Sequence, residues 1–356
     1  MSAETAGPVP TDPTEPVPAA GPPLGTARIR GRPEDFQVRE IPLVAPDGDG
    51  EHWLVEIRKR GLTTAEAVRR LARAFDCPPR AISHAGLKDR HALTTQWLSI
   101  HAPAVPPAVG PVEDGLDVIS AGRHRRKLRV GTLAGNRFRI RLTDVTAPRR
   151  SLDARLATVA RSGVPNYFGP QRFGRDGGNL AQALAWHRGE GRRLNRSVQG
   201  LLLSAVRAEA FNRVLRRRVE SGCWDRALPG DQMILDGRGS LFAAGRESAA
   251  GLVHRLALQT IHPTGPLPGT GGATVEAEAA ALETDALAGM APLLALLEAR
   301  RMRAARRALR LRVAALSWHW EGPAELVVAF RLPPGSYATT VLAECLRLTE
   351  AEPVAE

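Results

Sequence analysis

The texture of this chain changes twice along its length, and that change limits its folds more than any single motif. Both ends alternate apolar and charged residues with a period of two, as strands do. HWLVEI (52–57) places Trp53, Val55 and Ile57 on one face. RHRRKLRVGTLAGNRFRIRL (123–142) alternates Leu128 and Val130, then Phe138, Ile140 and Leu142, with Arg129, Arg139 and Arg141. It reads as strand–turn–strand with one apolar and one arginine face. ELVVAFRL (325–332) is a further strand, followed by a closing helix near 339–347. Among the early strands, Thr63 and Glu66 have capping-box spacing, and Ala65, Val68, Leu71, Ala72 and Phe75 form a helical stripe that Pro78 and Pro79 end. Ser151 is placed to cap a helix bearing Leu152, Leu156 and Val159, with Gly163 as its stop. From Gly163 to about Leu311 the chain reads as Ala/Leu/Arg helices. One covers 198–219, with Leu201, Leu202, Ala205, Ala208, Phe211, Leu215 and Val219 inward and Arg207 and Arg216–Arg218 elsewhere. Another covers 275–311, divided near Gly289 or Pro292, and TGPLPGTGG (264–272) is the loop between them. The chain is therefore either one α+β protein or a β-rich domain carrying a helical insertion.

Composition narrows the partner. The 356 residues carry 49 basic and 37 acidic side chains, a net charge of +12, which points to a polyanion such as nucleic acid. Only Lys59, Lys88 and Lys127 are lysines, so the charge is nearly all arginine, a bias that a GC-rich genome also produces. Cys77, Cys223 and Cys345 form no CxxC pattern, which suits a reducing cytoplasm. No apolar run approaches the roughly 20 residues of a membrane span. Residues 1–25, rich in Pro, Ala, Thr and acids, read as a disordered tail rather than a secretory signal, with order starting near Thr26. The expectation is a soluble cytoplasmic protein.

Familiar catalytic motifs are missing. The nine histidines make no HExxH and no HxE paired with CxxC, and there is no GxxxxGK[ST] and no GxSxG. Three other segments stand out. In AGLKDRHALTTQW (85–97), Asp89 lies between Lys88 and the pair Arg90 and His91. Neighbouring cations favour the ionised carboxylate, which can serve as nucleophile or electrostatic stabiliser; a neutralised turn aspartate is the simpler alternative. In GNRFRIRL (135–142), Asn136 offers donor and acceptor groups for an amide edge, and Phe138 offers a face for a base. Arg123, Arg125, Arg126 and Lys127 upstream suit phosphates, or form a solvated charge run. GVPNYFGPQRFGRDGGN (163–179) is irregular yet aromatic, as a binding loop or a packed loop between domains would be.

Together these segments resemble the TruD-type tRNA pseudouridine synthases. The likeness runs through RPEDFQVREI (32–41), GEHWLVEIRKRGLTT (50–64), AGLKDRHALTTQWLS (85–99), RHRRKLRVGTLAGNRFRIRL (123–142) and GVPNYFGPQRFG (163–174). It closes with LPGTG (267–271), LSWHW (316–320) and LPPGSYATTVLAE (332–344). The resemblance implies an α+β protein whose catalytic domain, a mixed and mostly antiparallel sheet, spans 26–162 and 312–356. A family-specific α+β domain is inserted at 163–311, giving a V shape with a basic cleft. It implies isomerisation of uridine to pseudouridine, U13 in the D-arm of a tRNA such as glutamate tRNA, on a flipped-out base. The enzyme would need no metal and no cofactor and would act as a monomer. The GxKD motif makes Asp89 the catalytic residue. The PxDF, GNxF and PxGSxAT motifs nominate Phe36, Asn136, Phe138 and Tyr337 for the uridine pocket, Tyr337 standing where the bacterial pattern often has Phe. Lys88, Arg90, Arg123, Arg125, Arg126, Lys127 and Arg172 are the expected RNA contacts. An RNA-binding protein without chemistry, or a methyltransferase, are the rival classes; no glycine-rich loop after a strand is placed for the second.

Overall fold

The computed structural model describes residues 16–174, 177–190 and 193–350. The expected tail is therefore mostly outside the described residues. The chain divides into two compact units, one built from 22–161 and 313–350, the other from 162–312 with 16–21.

The first unit opens with β1 (Thr26–Ile29), β2 (Phe36–Pro42), β3 (His52–Arg60) and α1 (Thr64–Ala74). It continues with β4 (Ile82–His84), β5 (Leu93–His101), β6 (Gly110–Glu113), β7 (Leu116–His124), β8 (Leu133–Leu142) and α2 (Arg149–Ser162). The second unit contributes β9 (Val164–Pro165), α3 (Gly178–His187), α4 (Arg196–Glu220), β10 (Gln232–Leu235), β11 (Leu241–Ala243), α5 (Ala249–Ala257) and β12 (Ile261–Leu267). It ends with α6 (Ala277–Ala286), α7 (Ala291–Ala299), β13 (Ala305–Ala308) and β14 (Arg310–Leu311). The chain then returns to the first unit as β15 (Ala314–Gly322), β16 (Glu325–Leu332), α8 (Ala338–Ala343) and β17 (Arg347–Glu350).

The first unit is organised by a nine-stranded sheet in the order β15-β16-β8-β2-β5-β3-β7-β6, with β4 added on β5. Only β2 and β5 pair in parallel within it, so the sheet is mixed and mostly antiparallel, in an α+β chain. Register decides which side chains share a face, because they alternate along each strand. Val38 lies opposite both Phe138 and Thr94, Phe138 opposite Phe330, and Lys59 opposite Thr94 and Leu116. On this face α1 covers Val55, Ile57, Leu98, Ile100 and Val118 with Ala67, Leu71 and Ala72. A buried leucine such as Leu71 stabilises by about 1.5–3 kcal/mol. Under the other end of the sheet, the indole N–H groups of Trp318 and Trp320 both donate to Asp153 of α2 (2.8 and 3.0 Å).

Several sequence readings change. Leu128 and Val130 are not in a strand; they lie in the segment between β7 and β8, Leu128 buried and Val130 exposed. Strand β3 is not half-buried, because it is central and Leu54 and Glu56 on its second face are covered too. In α1 the buried residues of the first turn are Thr64 and Ala67, not the exposed Ala65. That helix ends before Pro78, at Asp76 in the left-handed region (φ 45°), with the Cys77 N–H closing on Ala72 O at 2.9 Å. Ser151 falls inside α2, not at its cap. The closing helix stops at Ala343, and 347–350 form a strand.

The middle of the chain is less helical than its composition suggests. A four-stranded sheet, β11-β10-β12-β13, lies there, and the second helical run stops at Ala299 rather than Leu311. Thr264–Leu267, read as loop from its Gly and Pro, is the end of β12 and mostly buried. Gly265 is needed because a Cβ would press Phe211 of α4 at 3.1 Å and Leu309 at 2.8 Å. Helix α4 is capped by Asn195, whose Oδ1 accepts from Val198 N (2.9 Å). Leu201 on it is exposed, whereas Arg218 is fully buried in a bidentate pair with Asp231 (3.0 and 2.5 Å).

Candidate active site

Asp89 lies on the irregular segment between β4 and β5. Such a segment lacks ladder partners for its peptide groups, which must be satisfied by side chains. The Lys88 N–H donates to Thr64 Oγ1 (2.9 Å), and that hydroxyl donates to Gln96 Oε1 (3.0 Å). Lys59 Nζ donates to the carbonyls of Asp89 (2.8 Å), Lys88 (3.4 Å) and Leu62 (2.5 Å). The Lys88 ammonium pairs with Glu40 at 2.6 Å, the two side chains 6% and 1% exposed. Arg90 pairs with Glu66, which also accepts from Thr63 N (2.7 Å) and the Thr63 hydroxyl (2.7 Å) in the capping box of α1. Those hydrogen bonds, with Arg90 adding to them, hold the Glu66 carboxyl at about 2, below its ordinary 4.5.

The Asp89 carboxylate remains half-exposed at 52%, touched by Arg30 Nη2 at 3.3 Å. Arg30 adopts a left-handed backbone (φ 59°), a conformation that costs a non-glycine residue about 1 kcal/mol or more. Its guanidinium lies 4.6 Å from the centre of the Phe36 ring, and its other nitrogen pairs with Glu350 at 2.6 Å. Phe36 meets Phe138 edge-on (6.3 Å), and Phe138 stacks on Phe330 (5.4 Å). Asn136 lies directly opposite Glu40 in the sheet, and its buried side-chain oxygen has no hydrogen-bond partner among the described residues. An imide N–H is the kind of donor that such an acceptor lacks.

Asp89, Phe36, Asn136, Phe138 and Lys88 thus belong to one patch, joined through Arg30 and Glu40. One of the roles read from sequence changes there. Lys88 is buried in an ion pair and does not present its ammonium to a phosphate. Phe36 and Phe138 are 3% and 7% exposed, and the guanidinium of Arg30 lies over Phe36. Tyr337 stands at the N-cap position of α8 without a side-chain capping hydrogen bond, beyond Leu332, the residue paired with Asn136. No ring contact joins it to the phenylalanine cluster among the described residues.

The basic stretch begins elsewhere. Arg123 lies over Trp53 (4.8 Å) near the far end of β3, about 20 Å along the strand from Lys59. Arg125 pairs with Asp49 at 3.3 Å, while Arg126 and Lys127 are exposed. The segment then returns toward the site, where Gly131 N–H donates to Ala85 O (2.7 Å). Arg172 belongs to the second unit, donating to Ser204 Oγ (3.1 Å) and lying 5.6 Å from the Phe168 ring centre. No group of His, Cys, Asp and Glu side chains suited to a metal occurs among the described residues. No single helix among them is long and apolar enough to cross a membrane.

Sequence reading missed Arg30, Lys59 and Glu40. For the last two a signal was present. Glu40 continues the inward series Phe36, Val38, and Lys59 continues Val55, Ile57. A charge at an inward strand position needs a buried partner.

Comparison with known proteins agrees with this geometry. The family profile of tRNA pseudouridine synthase D (TruD) matches residues 21–181 and 176–345. A tRNA pseudouridine synthase D from Azotobacter vinelandii is 46% identical over 335 residues, 94% of this chain and 95% of the relative. One from Xanthomonas axonopodis is 45% identical over 337 residues, covering 90% and 91%. A crystal structure from Methanosarcina mazei assigned to TruD superimposes with a TM-score of 0.72 over 94% of this chain and 96% of that one, at 22% identity, so the fold is shared. The family profile and the relatives together define a pseudouridine synthase, an RNA-modifying isomerase. Within that class, the chain belongs to the tRNA pseudouridine synthase D family.

Proposed function

We propose that the unit 22–161 with 313–350 isomerises a uridine of tRNA, U13 in the D-arm of a substrate such as glutamate tRNA, with Asp89 as its catalytic carboxylate. The observation that carries this reading is the half-exposed Asp89 carboxylate on a segment otherwise pinned by buried side chains. The reaction breaks the N-glycosidic bond, rotates the uracil and rejoins it through C5. Attack on the ribose, attack on the base and removal of the C2′ proton all need a carboxylate held at a fixed place, and Arg30 Nη2 lies 3.3 Å from that of Asp89. The uridine must leave its stack, at a cost of a few kcal/mol. Asn136, with its free acceptor, takes the uracil edge, and Phe36, Phe138 and Tyr337 form the aromatic side of the pocket once Arg30 moves off Phe36. Exposed Arg126 and Lys127, with Arg123 and Arg125, contact phosphates, and the inserted unit 162–312 adds Arg172.

Purified protein and in-vitro transcribed tRNA, with pseudouridine mapped by carbodiimide labelling and primer extension, test this. Wild type gives a new stop at U13 and Asp89→Asn gives none while still binding the tRNA. Tight binding without pseudouridine in any tRNA would overturn the enzymatic reading, and equal stops in both proteins would remove Asp89 from it.

A further inference from the structure

Lys59 is the least expected buried charge in the sheet. Its side chain is 1% exposed, on the face that packs under α1, opposite Thr94 of β5 and Leu116 of β7. Arg58 and Arg60 beside it are exposed on the opposite face. Among the described residues no carboxylate lies within ion-pair distance of its ammonium; its partners are the carbonyls of Leu62, Lys88 and Asp89. A buried ammonium without a counter-ion is costly, and a methionine would fill the same slot without that cost. What a methionine lacks is three donors. Two of the carbonyls that take those donors belong to the residue bearing the catalytic carboxylate and the residue before it.

We infer that Lys59 is a positioning residue for the uridine isomerisation: its ammonium clamps the Lys88 and Asp89 carbonyls from beneath, holding the Asp89 carboxylate toward the bound uridine, and the clamp slackens when the ammonium loses its proton. This role rests on the function proposed above. The surrounding charges are few. Asp89 and Glu66 favour the cation, and Lys88 opposes it. Burial outweighs them and pushes the ammonium down to about 8 from its ordinary 10.5. The neutral amine keeps only two N–H donors for three carbonyls and no charge, so the hydrogen bonds it retains weaken. Turnover should therefore be full below about pH 8 and fall as pH rises through it.

The experiment is single-turnover pseudouridine formation in tRNA between pH 6 and 9.5, with wild type, Lys59→Met and Lys59→Arg, alongside tRNA affinity and thermal melts. Wild type should lose rate above about pH 8. Lys59→Met should be slower by about 30-fold at pH 7, with tRNA affinity within about threefold and no rate change near pH 8. Lys59→Arg, which keeps its charge throughout, should hold its rate to pH 9.5. A Lys59→Met enzyme within threefold of wild type, or one that keeps the wild-type pH limb, would overturn the clamp. If that variant does not fold, an unchanged limb in Lys59→Arg, or a wild-type rate that is flat between pH 7 and 9, overturns it equally. Absence of turnover by wild type would instead overturn the enzymatic reading, and this role with it.

Discussion

Glu40 and Lys88 provide a direct test of how the segment bearing Asp89 is anchored. Their charged atoms are 2.6 Å apart and their side chains 1% and 6% exposed, so neither can regain water without moving the segment that holds Asp89. Glu40→Ala removes the carboxylate and leaves the ammonium buried without its partner, a change that costs about 3–5 kcal/mol in comparable buried pairs. The Trp97 N–H, 3.4 Å from Glu40 Oε1, is a long contact and adds little. For a unit of this size each kcal/mol lowers the melting temperature by about 2–4 °C, so the drop should be about 6–20 °C.

Charge removed from both sides should behave differently. Glu40→Leu with Lys88→Met takes away both desolvation penalties, and the double variant should be less than about 2 kcal/mol from wild type. The measurement is differential scanning calorimetry of wild type, both single variants and the double. The shift should appear in the transition of the unit formed by 22–161 and 313–350. A Glu40→Ala variant within about 1 kcal/mol of wild type, or a double variant as unstable as the worse single, would refute the reasoning.

Two further perturbations probe separate parts of the molecule. Asp231→Ala leaves Arg218, 0% exposed, without the carboxylate that binds it twice, and also strips the Leu228 N–H of its 2.7 Å acceptor. The calorimetric transition of the 162–312 unit should fall by at least about 6 °C, and a shift under about 2 °C would show the pair to be replaceable by packing. Glu66 has a folded-state value of about 2, below its unfolded 4.5, so the cap it forms is fully present above pH 4.5 and is lost as pH falls toward 2. The melting-temperature difference between wild type and Glu66→Gln should be constant from pH 5 to 7 and shrink steadily toward pH 3; the same difference at pH 6 and pH 3 would sink the assignment.

What sequence could show depended on whether a residue's neighbours are local. Strand β8 was legible because its apolar residues alternate with arginines from Arg137 to Leu142, and the capping box at Thr63 and Glu66 because both partners lie within one turn. The middle sheet was not. Strand β12 contains Pro263, Gly265 and Pro266, which argue for a loop until α4 is known to press Phe211 against Gly265. Arg218 looked like a surface arginine because its counter-charge, Asp231, lies beyond the end of its helix. Yet it follows Phe211, Val214 and Leu215 at helical spacing, so its inward position was written in the same stripe that located α4.

The site repeats that pattern and gives it chemical meaning. GLKD located Asp89, but the groups that hold it come from β1's end, β2, β3, α1 and β5, segments spread from Arg30 to Gln96. A family motif marks the carboxylate proposed to act; strand parity marks what fixes it in place. Phe36, Val38, Glu40 and Val55, Ile57, Lys59 each carry an apolar face inward and end it with a charge, and both charges close on the same segment, Glu40 on the Lys88 ammonium and Lys59 on the Lys88 and Asp89 carbonyls. An apolar core does not spend two ions where two leucines would pack unless something has to be held there. What they hold here is a short backbone segment that neither helix nor ladder can support, and its single half-exposed carboxylate is left facing outward.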